Sequence, residues 1–167
     1  HVVTPEYRTP RELLRRMQEL LSRESGLHYS RFLGALPDEY PQSLEELISF
    51  NNRNRTGKIG FDDQRWFEEA LEAPPITPEN IQGHIDDRGK LQSAMAAEVE
   101  RLMGGADLLL GLTERPSWRL DPASGDPEPS WLPALACASG YPHITVPGLS
   151  IDGWPGGVSI IGRPNSD

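Results

Sequence analysis

Cysteine is almost missing from this chain of 167 residues: Cys137 stands alone, so no internal disulfide can form. Lysine is nearly as scarce, with only Lys58 and Lys90, and acidic residues outnumber basic ones to give a formal net charge of −9. A surface of that sign repels phosphate backbones and anionic lipid, which argues against nucleic acid and against a membrane surface as partners. No apolar run reaches the ~18 residues of a membrane span. The stretch at 1–10 has no apolar signal core; a cytoplasmic location is expected, although the N-terminus of the whole protein is not visible in this sequence. What is present is globular in composition, 37% apolar and 25% charged.

The first half reads as helices with start and stop signals. Thr9-Pro10-Arg11-Glu12 is a capping box with proline at the first helical position. Leu13, Leu14, Met17, Leu20 and Leu21 follow on one face, and Gly26 is expected to stop that helix, with a short one after it at 28–33. Ser43-Leu44-Glu45-Glu46 is a second capping box. Asp62 or Asp63 is expected to start a third helix carrying Trp66, Phe67, Ala70 and Leu71 as core. Thr77-Pro78 opens a long helix whose stripe is Ile81, His84/Ile85, Arg88, Leu91, Met95, Val99 and Leu102, ended by Gly104-Gly105.

The second half changes character. "DLLLGLT", 107–113, is a strand-length apolar run of the kind buried on both faces of a sheet. Four prolines between Glu114 and Ser130 predict an irregular loop, long enough to be functional. Trp131 to Ser139 predicts a short helix, "HITV" a strand closed by Pro147, and "GVSII" another. The link between those two is too short for a helical crossover, so they should pair antiparallel. The fold class expected is α/β, with helices packed on a mixed sheet. It is one truncated domain: residues 1–106 form its helical segment and 107–167 its strand-rich segment. Three buried-type strands make a thin sheet, so the chain is expected to be a portion of a larger protein, and its exposed sheet edge to favour a homodimer or aggregation.

The motifs of the second half resemble the amidase signature family of amide hydrolases, in its C-terminal portion. The residues that carry this are Ser139-Gly140-Tyr141-Pro142, Ile144-Thr145-Val146-Pro147, Gly153-Trp154-Pro155-Gly156-Gly157 and Ile160-Ile161-Gly162-Arg163. Upstream, Pro116, Trp118, Asp121, Gly125 and Asp126 keep the order of the family's loop, and "SLEELISFNNRN" and "GFDDQRWFEEAL" resemble two of its helical segments. The likeness spans 27–167. Leu112 and Gly156 depart from the family's usual proline and valine, and one residue is missing at Pro147-Gly148.

The resemblance implies hydrolysis of a carboxylic amide by a serine nucleophile, linked through a second serine in a cis peptide to a lysine, with no metal or organic cofactor. The substrate implied is a small-molecule amide. No Gly-Ser-Ser-Gly-Gly type loop occurs in this chain, and Lys58 and Lys90 fall in the wrong segments. The catalytic residues are therefore expected upstream, and no catalytic residue is assigned within 1–167. Gly140, Tyr141, Pro142, Pro147, Gly153, Pro155, Gly157 and Gly162 are read as architectural, setting turns and close backbone approaches. Thr113 and Trp118, at a strand end and in the long loop, are the candidates for lining a substrate pocket. The alternative is a non-catalytic binding or scaffold module with an amidase fold; a weaker one is a stand-alone enzyme using Cys137 or the His84 cluster. Cys137 is expected to be packed among alanines. His84, Asp87 and Arg88 are expected to form a surface charge cluster rather than a metal site.

Overall fold

The computed structural model describes residues 10–54, 64–114, 117–118 and 130–165. Thr9, Lys58, Asp62 and Asp63, Asp121, Gly125 and Asp126 lie outside the described residues. Helices α1 (Arg11–Leu33), α2 (Leu44–Arg53), α3 (Arg65–Glu72) and α4 (Ile81–Met103) come first, followed by β1 (Leu108–Leu112), α5 (Leu132–Ser139), β2 (His143–Ile151) and β3 (Trp154–Gly162). Two compact units are distinguished, Leu14–Arg88 and the remaining described residues, and the division falls within α4 rather than at the helix-to-strand junction.

In the helical unit, Ser43 caps α2 by accepting from the backbone N–H of Glu46, a contact worth about 1 kcal/mol. Gly26 does not stop α1; the helix runs through it. A Cβ there would lie 2.6 Å from the carbonyl oxygen of Ala70, so this glycine serves the close approach of α3 to α1. Gln18 donates to Glu69 at 2.9 Å, and Tyr29 meets Phe67 edge-on with centroids 5.3 Å apart. Trp66, expected in the core, is exposed.

The other unit is built on a three-stranded sheet of order β1-β3-β2, with both pairings antiparallel. The α/β architecture of helices on a sheet is the one expected, but among the described residues the sheet is antiparallel rather than mixed. β2 and β3 form a hairpin whose two turn residues, Asp152 and Gly153, have φ of 52° and 83°. Two residues at positive φ fit the twist of paired strands, which is why Asp-Gly is favoured there. β2 does not end at Pro147. It continues to Ile151 past a register shift between Pro147 and Leu149. An edge strand with a bulge tolerates the missing N–H of proline. Gly140 caps α5 in the left-handed region at φ 77°.

Cross-strand partners share a sheet face, so the register sorts the side chains. One face carries Leu109, Gly111, Thr113, Gly157, Ser159 and Ile161, with His143 and Thr145 from β2. Here α5 packs: a Cβ on Gly111 would lie 2.7 Å from Leu132 Cδ2. Met95, Val99, Leu135 and Ile161 are among the buried side chains of this unit, each stabilising by ~1.5–3 kcal/mol. The opposite face is aliphatic apart from Gly162: Leu108, Leu110 and Leu112, then Ile160 and Val158, then Ile144 and Val146. It is open, with Leu110 62% and Ile144 60% exposed. The run 107–113, read as buried on both faces, is covered on one.

Candidate functional site

The packed face of the sheet places four polar side chains in a file across all three strands. Thr113 follows β1 and is anchored by its N–H to the carbonyl of Gly157 at 2.9 Å. Its Oγ1 lies 3.0 Å from Ser159 Oγ and 3.4 Å from Thr145 Oγ1. Ser159 Oγ in turn lies 2.7 Å from His143 Nε2. Ser159 is wholly buried, whereas His143 and Thr145 are exposed at the edge strand. A Cβ on Gly157 would stand 2.9 Å from Thr145 Cγ2 and 3.2 Å from Thr113 Oγ1, so only glycine leaves room for the file.

An imidazole against a serine hydroxyl has the distance of a base and its nucleophile. The burial excludes that use: no carbonyl carbon can reach Ser159 Oγ, which is already held between His143 and Thr113. His143 and Ser159 meet only once the hairpin register sets Thr145 opposite Ser159 and His143 opposite Ile161, so their pairing is not visible in the order of the residues. The Asp-Gly turn was the signal that could have set that register.

Below the file, Arg163 clasps Glu100 of α4 with Nε at 3.1 Å from Oε1 and Nη2 at 2.9 Å from Oε2, and its Nη1 donates to the Ala106 carbonyl at 2.9 Å. The Tyr141 hydroxyl donates to the same carboxylate at 2.9 Å. The Arg163 bond, then the Tyr141 bond, holds the Glu100 carboxyl below the usual carboxylate range. The same hydrogen bond to Glu100 pushes the Tyr141 phenol up. Tyr141 and Arg163 of the Gly-Tyr-Pro and Ile-Gly-Arg motifs thus tie the strand ends to α4. In the same place Gly162 donates to the Pro142 carbonyl at 3.1 Å.

The other candidates fall elsewhere. Trp118 is exposed in the loop, and Cys137, expected to be packed, is exposed on α5 because α5 buries Leu132, Leu135, Ala136 and Ser139 instead. His84 is no surface residue. It is 5% exposed, with Nε2 2.8 Å from Glu24 Oε1, while Arg88 Nε reaches the same oxygen at 3.3 Å. The α4 stripe therefore runs through His84, with Ile81 and Ile85 exposed. A groove of about 640 Å³ in the helical unit is lined by Arg16 and Arg23 of α1, Glu69 and Glu72 of α3, and Asp87. Among the described residues no group of three or more His, Cys, Asp or Glu could hold a metal ion, and no helix is long and apolar enough to cross a membrane.

No model of a known protein family matches the sequence, and no curated protein does. Solved structures do. A peptide amidase in complex with the competitive inhibitor chymostatin is 25% identical, with a TM-score of 0.72 over 93% of this chain and 32% of its own. The native peptide amidase from Stenotrophomonas maltophilia is 24% identical, with a TM-score of 0.68 over 93% of this chain and 31% of its own. A bacterial aryl acylamidase of the amidase signature family is 16% identical, with a TM-score of 0.54 over 97% and 32%. The chain is thus similar to amidase signature enzymes along nearly its whole length, and its fold is that of about a third of such an enzyme.

Proposed function

We propose that this chain forms part of an amide hydrolase, and that the reactive serine, its cis-linked serine partner and the lysine base are contributed by polypeptide beyond residues 1–167. The observation that carries the reading is the share of each partner matched: more than nine tenths of this chain against about a third of each amidase. The open aliphatic face of the sheet supports it, since an exposed apolar patch of that extent is suited to being covered. Left uncovered, that face and the free strand edges favour self-association of the isolated chain.

In this reading the residues present do no bond-making. The Arg163–Glu100–Tyr141 clasp fixes the strand ends, and the hydroxyl file places Thr113 at the end of β1, where it would line the pocket for the acyl part of a small amide; Trp118 would contribute from the loop. Hydrolysis would follow the usual course of a serine nucleophile: attack on the carbonyl carbon, acyl transfer to the hydroxyl, departure of the amine with a proton, and release of the acid by water.

The test is amide hydrolysis by the product of the complete encoding gene and by this chain alone. Turnover by the complete product, lost when serine in a Ser/Gly-rich loop upstream is replaced, is expected, with none from residues 1–167. Turnover by this chain alone, abolished by Cys137→Ala, would overturn the reading. So would a complete gene lacking both that loop and a lysine before it.

A further inference from the structure

A file of hydroxyls that ends on an imidazole has two self-consistent directions, because each hydroxyl both donates and accepts. With a proton on His143 Nε2, the ring donates to Ser159 Oγ, Ser159 donates to Thr113 Oγ1, and the Thr113 proton is left for Thr145 or for a bound group. With Nε2 bare and the ring proton on Nδ1, Ser159 donates to the ring and Thr113 donates to Ser159. The Thr113 oxygen is then left to accept. The distances of 2.7 Å and 3.0 Å across Ser159 make the middle of the file tight. The complete burial of Ser159 keeps water from supplying either link instead.

We infer that His143 is a positioning residue: acting through Ser159, it sets whether Thr113 offers a hydrogen-bond donor or an acceptor at the end of β1. An imidazolium, neither of whose nitrogens can accept, must donate to Ser159 Oγ and leaves the Ser159 proton for Thr113, which favours the first direction. A neutral ring with Nε2 bare opens the second. Few charged groups compete for control of the ring. β1 carries no ionisable side chain, and Glu114 beyond it receives the Ser130 N–H at 2.7 Å. α5 carries only Cys137. On the flanks of β2 and β3, Tyr141 and Arg163 are both engaged with Glu100, and Asp152 lies at the far turn. The consequence for substrate choice rests on the amidase reading, in which Thr113 faces the acyl group. The donor form would then favour amides with an acceptor on the acyl part, and the acceptor form those with an N–H or O–H there. The direction of the file itself does not depend on that reading.

The experiment is nuclear magnetic resonance of the 167-residue chain from about pH 5 to pH 8. It follows the His143 ring nitrogens together with the methyl signals of Thr113 and Thr145. The expected result is that both methyl signals move with the same midpoint as the ring, and that Ser159→Ala removes the Thr113 response while His143 still titrates. Thr113→Val, which leaves the His143–Ser159 contact in place, should remove the Thr145 response and decides the matter if Ser159→Ala does not fold. A Thr113 response undiminished in Ser159→Ala would assign the effect to charge acting through space and overturn the relay, as would methyl signals that ignore the ring. The readout needs no amide turnover, so failure of the relay and failure of the amidase reading are told apart.

Discussion

The two faces of the one sheet are written in different alphabets. One holds Gly111, Thr113, His143, Thr145, Gly157 and Ser159 with the aliphatics Leu109 and Ile161, and α5 packs on it while its β2 edge stays exposed. The other holds leucine, isoleucine and valine at seven positions beside Gly162, yet five of those seven, Leu108, Leu110, Leu112, Ile144 and Val146, are exposed. Burial drives aliphatic residues inward because each apolar Å² removed from water is worth roughly 25 cal/mol. A face this apolar that gains only part of that energy has a composition suited to an interior. The polar face, by contrast, is satisfied as it stands, with each buried hydroxyl given a partner. The amidase-like architecture thus divides its sheet into a finished face and one that calls for cover.

The strongest way to break this contrast is to truncate one aliphatic side chain on each face. Ile161→Ala opens a cavity in packed surroundings and should cost about 3 kcal/mol. Leu110→Ala, at 62% exposure, should cost less than ~0.5 kcal/mol in the isolated chain. Urea unfolding of the two variants reads this directly. Equal losses would mean that the aliphatic face is already covered.

A smaller effect sharpens the polar side. Gly157→Ala forces a methyl to 2.9 Å from Thr145 Cγ2 and 3.2 Å from Thr113 Oγ1. Overpacking of this kind typically costs 1–3 kcal/mol. The thermal midpoint should fall accordingly, and the Thr113–Ser159 contact should lengthen. Gly153→Ala at the hairpin turn tests φ alone, with nothing within 4 Å of the added carbon, so comparing the two separates steric crowding from backbone strain.

Much of this arrangement is legible in the sequence where the cause is local. Ser43 caps α2 because its hydroxyl reaches an N–H three residues on, and Gly104 and Gly105 end α4 at positive φ. The short link between the last strands forces antiparallel pairing whatever surrounds it. Errors arise where the cause is tertiary. Gly26 looks like a helix stop, but it answers to the Ala70 carbonyl on another helix. Pro147 looks like a strand end, but it occupies the edge strand beside a bulge. The His143–Ser159 pair is invisible until the register is known, since sixteen residues separate its members. Cys137 looks packed by composition, but the helix phase set by Leu132, Leu135 and Ala136 turns it outward.

The smallest effect concerns the clasp where the strands end. Hydrogen bonds from Arg163 and Tyr141 lower the Glu100 carboxyl below its ordinary value of 4.5. A group whose folded value is depressed stabilises the protein above its unfolded value and loses that contribution as pH falls through the folded one. Acidification from just below 4.5 should therefore weaken the tie between α4 and Arg163. Tyr141 has the opposite sign. Its phenol is raised above 10.0 by the bond to Glu100, so its contribution is present below the ordinary value and lost as pH rises through the raised one. Glu100→Gln removes both slopes. Melting temperature followed against pH should show the variant and the unaltered chain converging at the acid end and separating slightly near neutrality. The gap should stay small, because Glu100 is exposed and solvent screens the pair. A gap as large as that of Ile161→Ala would mean that the clasp, and not the packed face, holds this unit together.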